Sequence, residues 1–228
     1  MAVTPWKLLD SAPVPGNGGE LRLLQRGDEF TIVIAGRGEL MSSRAHGSED
    51  ALAELACTRI AKLPQPRILI GGLGMGYTLA AALRHLGPTA QVVVAELVPA
   101  VIEWNRGPLA TCAGHPLDDA RATVREGDVA RILQTEQNAF DAILLDVDNG
   151  PEGLTHKHND WLYSITGLTA AYTALRAGGI LAVWSAGPDR DFTERLRKVG
   201  FAVEELRVRA HGSHKKARHV IWIGGRGA

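Results

Sequence analysis

The chain has 228 residues, 45% of them hydrophobic, enough for one large domain or a domain with a small appendage to bury its own core. Its 25 Lys and Arg balance its 25 Asp and Glu, so no global field favours nucleic acid or an anionic membrane, and neither is expected as a partner. Cys57 and Cys112 are too few for a disulfide framework, MAVTPWKLLDSAP has no signal-peptide core, and no run reaches the roughly 18 apolar residues that span a bilayer, so a cytoplasmic location is expected.

From Glu20 to Met41 the runs LRLLQ, FTIVIAG and ELM, separated by Arg26-Gly27-Asp28 and Gly36-Arg37-Gly38, predict a small β-meander, and residues 1–47 are assigned to an N-terminal β region. Ser48 reads as the N-cap of a helix over EDALAELACTRIAKL that Pro64 and Pro66 end, opening a second region over 48–228. There, continuous hydrophobic strands alternate with amphipathic helices: Ile68 to Ile70, helix Tyr77 to Leu86, Val92 to Ala95, helix Val98 to Leu109, Ala122 to Arg125, helix Val129 to Gln134 and Ala142 to Leu145. Helix Ser164 to Leu175, strand Ile180 to Trp184 and helix Arg190 to Val199 follow. This pattern predicts an α/β fold with a mostly parallel sheet covered on both faces. Ala202 to Arg209 and Arg218 to Ile223 have only AHGSHKKA between them, so they are expected to close the sheet as an antiparallel hairpin with a solvated tip.

The segment RILIGGLGMGY, Arg67 to Tyr77, carries the strongest functional signal. A β-branched run breaks into Gly72, Gly74 and Gly76 just before a helix start, where backbone N–H groups and close approach suit a nucleotide. Glu96 closes the next strand about twenty residues on, where a carboxylate accepts both hydroxyls of a ribose. Tyr77 occupies the third glycine position of the dinucleotide fingerprint, which makes NAD the less suitable ligand. Asp128 follows the third strand, where it also reads as a helix N-cap, and Asp146 and Asp148 follow the fourth.

GxGxG, an acid closing the second strand, Asp128 and the terminal hairpin together resemble the Rossmann-like class I S-adenosylmethionine-dependent methyltransferase fold. The blocks RILIGGLGMGYTLAAALRH, VVVAELVPAVIEWNRGPL, VREGDVARIL, FDAILLDVDNGPEGL and LRAGGILAVWS resemble, in order, those of the spermidine synthase family. This resemblance implies a donor site of Gly72, Gly74, Met75, Gly76, Glu96, Leu97, Asp128, Val129 and Asp146, with Glu96 on the ribose diol and Asp128 on the adenine amino group. It implies Asp146 and Asp148 as the catalytic pair at the reacting amine, a closing loop over Leu154 to Tyr163, and a homodimer.

The chain departs from that family pattern at Met75, where the family has an aspartate for the amine of decarboxylated S-adenosylmethionine. Glu39 and Ser48 stand at a glutamine and a tyrosine of the acceptor pocket, and Asp148 is one position out of step. Ordinary S-adenosylmethionine is therefore the expected donor, its carboxylate taken by N–H groups of the glycine turn. The expected function is methyl transfer to a small-molecule acceptor, an amine among the candidates. Aminopropyl transfer from decarboxylated S-adenosylmethionine is the alternative, and a catalytically silent nucleotide- or partner-binding module is the third reading. His156 and His158 lack further ligands at metal-site spacing, so no metal is expected.

Overall fold

The computed structural model describes residues 4–147, 159–209 and 218–227. Strands β1 (Lys7–Pro13), β2 (Glu20–Arg26), β3 (Glu29–Ile34) and β4 (Gly38–Ser42) form an antiparallel sheet in that order. The sequence pattern misses β1 because Asp10, Ser11 and Pro13 read as a loop. An edge strand tolerates such residues, since half its backbone groups have no strand partner. Asp10 also has a tertiary role, accepting the indole N–H of Trp104 at 2.7 Å.

Helix α1 (Gly47–Ile60) begins before Ser48, which is therefore not its cap: His46 holds the N-cap position, and the Ser48 hydroxyl donates to Glu49 instead. Then come β5 (Arg67–Gly71), α2 (Tyr77–His85), β6 (Gln91–Glu96), α3 (Pro99–Arg106), β7 (Ala122–Glu126), α4 (Val129–Thr135) and β8 (Phe140–Leu145). The chain continues through α5 (Asn159–Leu162), α6 (Ile165–Ala174), β9 (Leu175–Ser185), α7 (Arg190–Val199), β10 (Ala202–Arg209) and β11 (Arg218–Gly225). Helix α3 stops short of the predicted Leu109 because Gly107 turns the chain, its N–H reaching back to the carbonyls of Glu103 and Trp104.

The second sheet has the order β7-β6-β5-β8-β9-β11-β10 and is parallel except for β11, which pairs antiparallel with β9 and β10. This is the class I methyltransferase-like sheet expected from the alternating pattern. Its central strands are apolar on both faces with period two. Ile68, Ile70, Val92, Val94, Ala142 and Leu144 enter the core that also contains residues of α1, α2 and the N-terminal sheet. Leu69, Val93, Ile143 and Leu145 enter the core filled by α4, α6 and α7. A strand buried on both sides has no polar face to alternate with, which is why these segments read as continuous hydrophobic runs.

Strand order reverses between β5 and β8, so the connections leaving their carboxyl ends part to either side and open a crevice, where sheets of this kind bind ligands. The opposite end is tied by Asp141, which accepts the Arg67 backbone N–H and the Arg176 guanidinium, both at 2.7 Å. Asp141→Ala leaves that N–H without its acceptor and is expected to destabilise the fold by about 2 kcal/mol, read as a lower urea midpoint at unchanged m-value.

Candidate functional site

The turn after β5 is built around Gly72. Its φ is +91°, and a Cβ there would lie 2.3 Å from the Asp146 carbonyl oxygen, so only glycine lets the ends of β5 and β8 close on each other. Gly76, also at positive φ, opens α2, and from behind the turn Asn105 donates its amide N–H to the Gly74 carbonyl at 2.8 Å. Most of the turn's own N–H groups are already used. Gly72 donates to Ala95 O (2.9 Å), Leu73 to Glu96 Oε2 (2.9 Å) and Gly76 to Leu73 O (2.8 Å), while the Gly74 N–H also acts on the Glu96 carboxylate.

Beside the turn lies a cavity of about 330 Å³, within the roughly 300–1,000 Å³ range of small-molecule sites. The fold brings Gly72, Gly74, Glu96, Leu97, Asp128, Val129 and Asp146 to its wall, as the sequence reading expected. Met75 and Gly76 are not among its described lining residues. Met75 is 1% exposed, and its side chain packs into the core. The turn presents Gly72 and Gly74 to the cavity and puts the Met75 side chain into the hydrophobic interior. Asp148, His156 and His158 fall outside the described residues, as does the hairpin tip at 210–217. Of the expected closing loop, Trp161 and Tyr163 are described. Trp161 packs on the core, and Tyr163 is buried, its ring edge-on to Phe192 and its hydroxyl donating to the Val147 carbonyl.

The acids at the wall are held differently. Glu96 is 7% exposed and accepts backbone N–H groups on both oxygens, from Leu73 on Oε2 and from Val98 on Oε1. Burial pushes its carboxyl up, against the pull of those N–H groups. Asp128 caps α4 by accepting the Ala130 N–H on Oδ1, and it also lines the cavity.

Among the described residues, the Asp146 carboxylate accepts the Thr78 hydroxyl, at 2.5 Å. Burial and then the neighbouring Glu49 carboxylate push it up to about 7, with the Thr78 hydroxyl opposing. Glu49, in the first turn of α1, lines the same cavity and was not identified from sequence, where it was indistinguishable from any acid at a helix start. Trp184 and His219, ring centroids 4.8 Å apart, complete another part of the wall and carried no sequence signal beyond their strands. Among the described lining residues there is no lysine or arginine.

A family model described as the spermine/spermidine synthase domain matches residues 51–189. A polyamine aminopropyltransferase from Mycobacterium tuberculosis is 26% identical over 198 residues, covering 83% of this chain and 36% of that protein, so the chain spans about a third of the length of the curated relatives it matches. The spermidine synthase structure from Thermotoga maritima superposes with a TM-score of 0.75 at 20% identity, covering 96% of this chain and 73% of that one. An O-methyltransferase family protein from Burkholderia thailandensis superposes at 0.55 and 16% identity, over 80% and 56%. At these identities the structures establish the fold, which both kinds of transferase share. The relatives matched by sequence are named for aminopropyl transfer, which supports the alternative chemistry over the methyl transfer expected first.

Glu96→Gln sets an amide NH₂ against one of the two backbone N–H donors it now receives. The substitution is expected to lower Tm by several degrees and to weaken 5′-methylthioadenosine, a probe carrying only the adenosine half of the donor, by roughly tenfold or more. Calorimetric titration beside thermal unfolding reads both, and unchanged affinity would remove Glu96 from the ribose site.

Proposed function

Because the chain belongs to the spermine/spermidine synthase family, we propose that it transfers an aminopropyl group from decarboxylated S-adenosylmethionine to an amine acceptor, with Asp146 as the base. The observation that carries this reading is the charge of the cavity: Glu39, Glu49, Glu96, Asp128 and Asp146 line it, and no described Lys or Arg does. Such a wall suits cations. Decarboxylated S-adenosylmethionine carries a sulfonium and an ammonium and no carboxylate, and its acceptor is itself an amine.

The case for ordinary S-adenosylmethionine rested on N–H groups of the glycine turn free to take its carboxylate. The Gly72, Leu73 and Gly76 N–H groups are spent within the protein, and that of Gly74 is directed to Glu96. A substrate carboxylate would then face a wall of carboxylates, where like charges repel and little solvent screens them. This favours the decarboxylated donor even though Met75 supplies no acid.

In this reading Glu96 holds the ribose diol and Asp128 Oδ2 the adenine amino group, placing the sulfonium near Gly72 and the carboxyl end of β8. Asp146 accepts a proton from the incoming amine. The freed nitrogen lone pair forms the new bond to the propyl carbon next to sulfur, the carbon–sulfur bond breaks, and 5′-methylthioadenosine leaves. Displacement of this kind asks chiefly for alignment and a base, and a carboxyl pushed up to about 7 is poised as a base near neutral pH.

Asp146 works as a base only when ionised, the form that dominates above a pKa of about 7. The kcat/KM for aminopropyl transfer to putrescine is therefore expected to fall about tenfold per pH unit below that point. Asp146→Asn is expected to lower kcat by roughly 10²–10⁴-fold while keeping the affinity for 5′-methylthioadenosine. Radiolabelled transfer assays across pH test both; an acid limb that persists at full rate in the variant would show that another group is the base.

A further inference from the structure

The five acids of the cavity do not all need a ligand cation. The Glu96 charge is met by backbone N–H groups from two segments, and Asp128 by a backbone N–H at the start of α4. Glu39 accepts from the Thr31 hydroxyl at 3.2 Å and belongs to an exposed stretch of β4. Glu49 and Asp146 differ from these. They come from elements nearly a hundred residues apart, meet across one cavity closely enough to raise the Asp146 carboxyl, and each takes its side-chain hydrogen bond from a hydroxyl, Ser48 for Glu49 and Thr78 for Asp146.

Other charges near Glu49 are already engaged. Asp50, the next residue, is held by Arg84 at 2.7 Å and by His46 Nδ1 at 2.8 Å. The His46 ring is stacked on Tyr77, centroids 4.2 Å apart, and Tyr77 sends its hydroxyl to the Ser43 carbonyl. Successive helix residues point about 100° apart, so Asp50 takes these partners while Glu49 faces the cavity. Burial pushes Glu49 up; the Ser48 hydroxyl, its own N–H and His46 oppose this. Among the described residues neither Glu49 nor Asp146 is in an ion pair, so two partly buried carboxylates share one cavity with a positive charge too few.

We propose that Glu49 binds the primary ammonium at the end of the donor's three-carbon chain. This rests on the aminopropyl-transfer reading above. The position agrees with the surrounding geometry, because Glu49 acts on Tyr77 at the start of α2, and the next residue of that helix, Thr78, holds Asp146. A three-carbon chain leaving the sulfonium beside Gly72 therefore runs between Glu49 and Asp146. Glu49 supplies the negative charge that Met75 does not, from a helix instead of the turn. Neutralised by the ammonium, it also no longer opposes ionisation of Asp146, so donor binding prepares the base for the acceptor.

The test compares two probes on the whole chain by calorimetric titration: decarboxylated S-adenosylmethionine, and 5′-methylthioadenosine, which lacks the charged tail. In Glu49→Gln the affinity for the first is expected to drop about tenfold to a hundredfold, with the second unchanged. Glu49→Met, of similar length and good helix propensity, is the second variant should the glutamine chain fail to fold. An unchanged ratio of the two affinities overturns the role of Glu49 alone. Wild-type protein that binds S-adenosylmethionine and not its decarboxylated form overturns the aminopropyl reading and this inference together. Glu49-dependent binding of the decarboxylated donor without turnover on any amine leaves the inference standing and removes the reaction.

Discussion

Glu96 reaches from the end of β6 to accept the N–H of Leu73 in the glycine turn and the N–H of Val98 at the start of α3, joining the loops that follow two adjacent strands. The ligand-binding end of the sheet depends on this clasp. The turn must rise steeply after Gly71, because Gly72 sits against the Asp146 carbonyl, and a turn so bent leaves N–H groups pointing inward that need a buried acceptor. The carboxylate satisfies them and stays at the cavity wall. The group that supports the turn is thus the one proposed to meet the ribose, so changing Glu96 acts on both.

The same clasp decides the electrostatics of the site. Once the turn's N–H groups are committed to Glu96 and to neighbouring carbonyls, the turn has little left with which to hold an anion. A glycine turn at a helix start is often an anion site because those N–H groups are free; here most are used internally. The cavity is correspondingly lined by carboxylates, some stabilised from within and two, Glu49 and Asp146, left to a ligand. The proposed preference for a cationic donor rests on how the backbone hydrogen bonds are spent, and the absence of an acid at Met75 does not remove that support.

The N-terminal sheet belongs to this arrangement as well. Leu21, Leu23, Ile32 and Ile34 share a core with Ile68 and Ile70 of the central strands, and Leu21, Ile32 and Met41 reach the cavity wall. The contact of Asp10 with Trp104 and that of Ser43 with Tyr77 tie the small sheet to α3 and α2. One wall of the site is therefore set by how the two sheets pack.

The alternating α/β order, the closing hairpin, the glycine turn, Glu96 and Asp128 could be read from the sequence because each depends on local rules: strand and helix periodicity, glycine at a bend, and acids at the ends of predicted strands. Strand β1 escaped that reading because an edge strand tolerates residues that resemble a loop. The inward packing of the Met75 side chain was not legible because spacing says that a residue is in a turn and not which way its side chain points. Glu49 was invisible for a stronger reason: its role comes from meeting Asp146, 97 positions away in the chain, and no local pattern encodes that encounter. Local patterns and a family resemblance thus picked out Gly72, Gly74, Glu96 and Asp128 of the cavity wall, whereas the meeting of Glu49 with Asp146 emerged only when packing brought α1 to the same cavity as the end of β8.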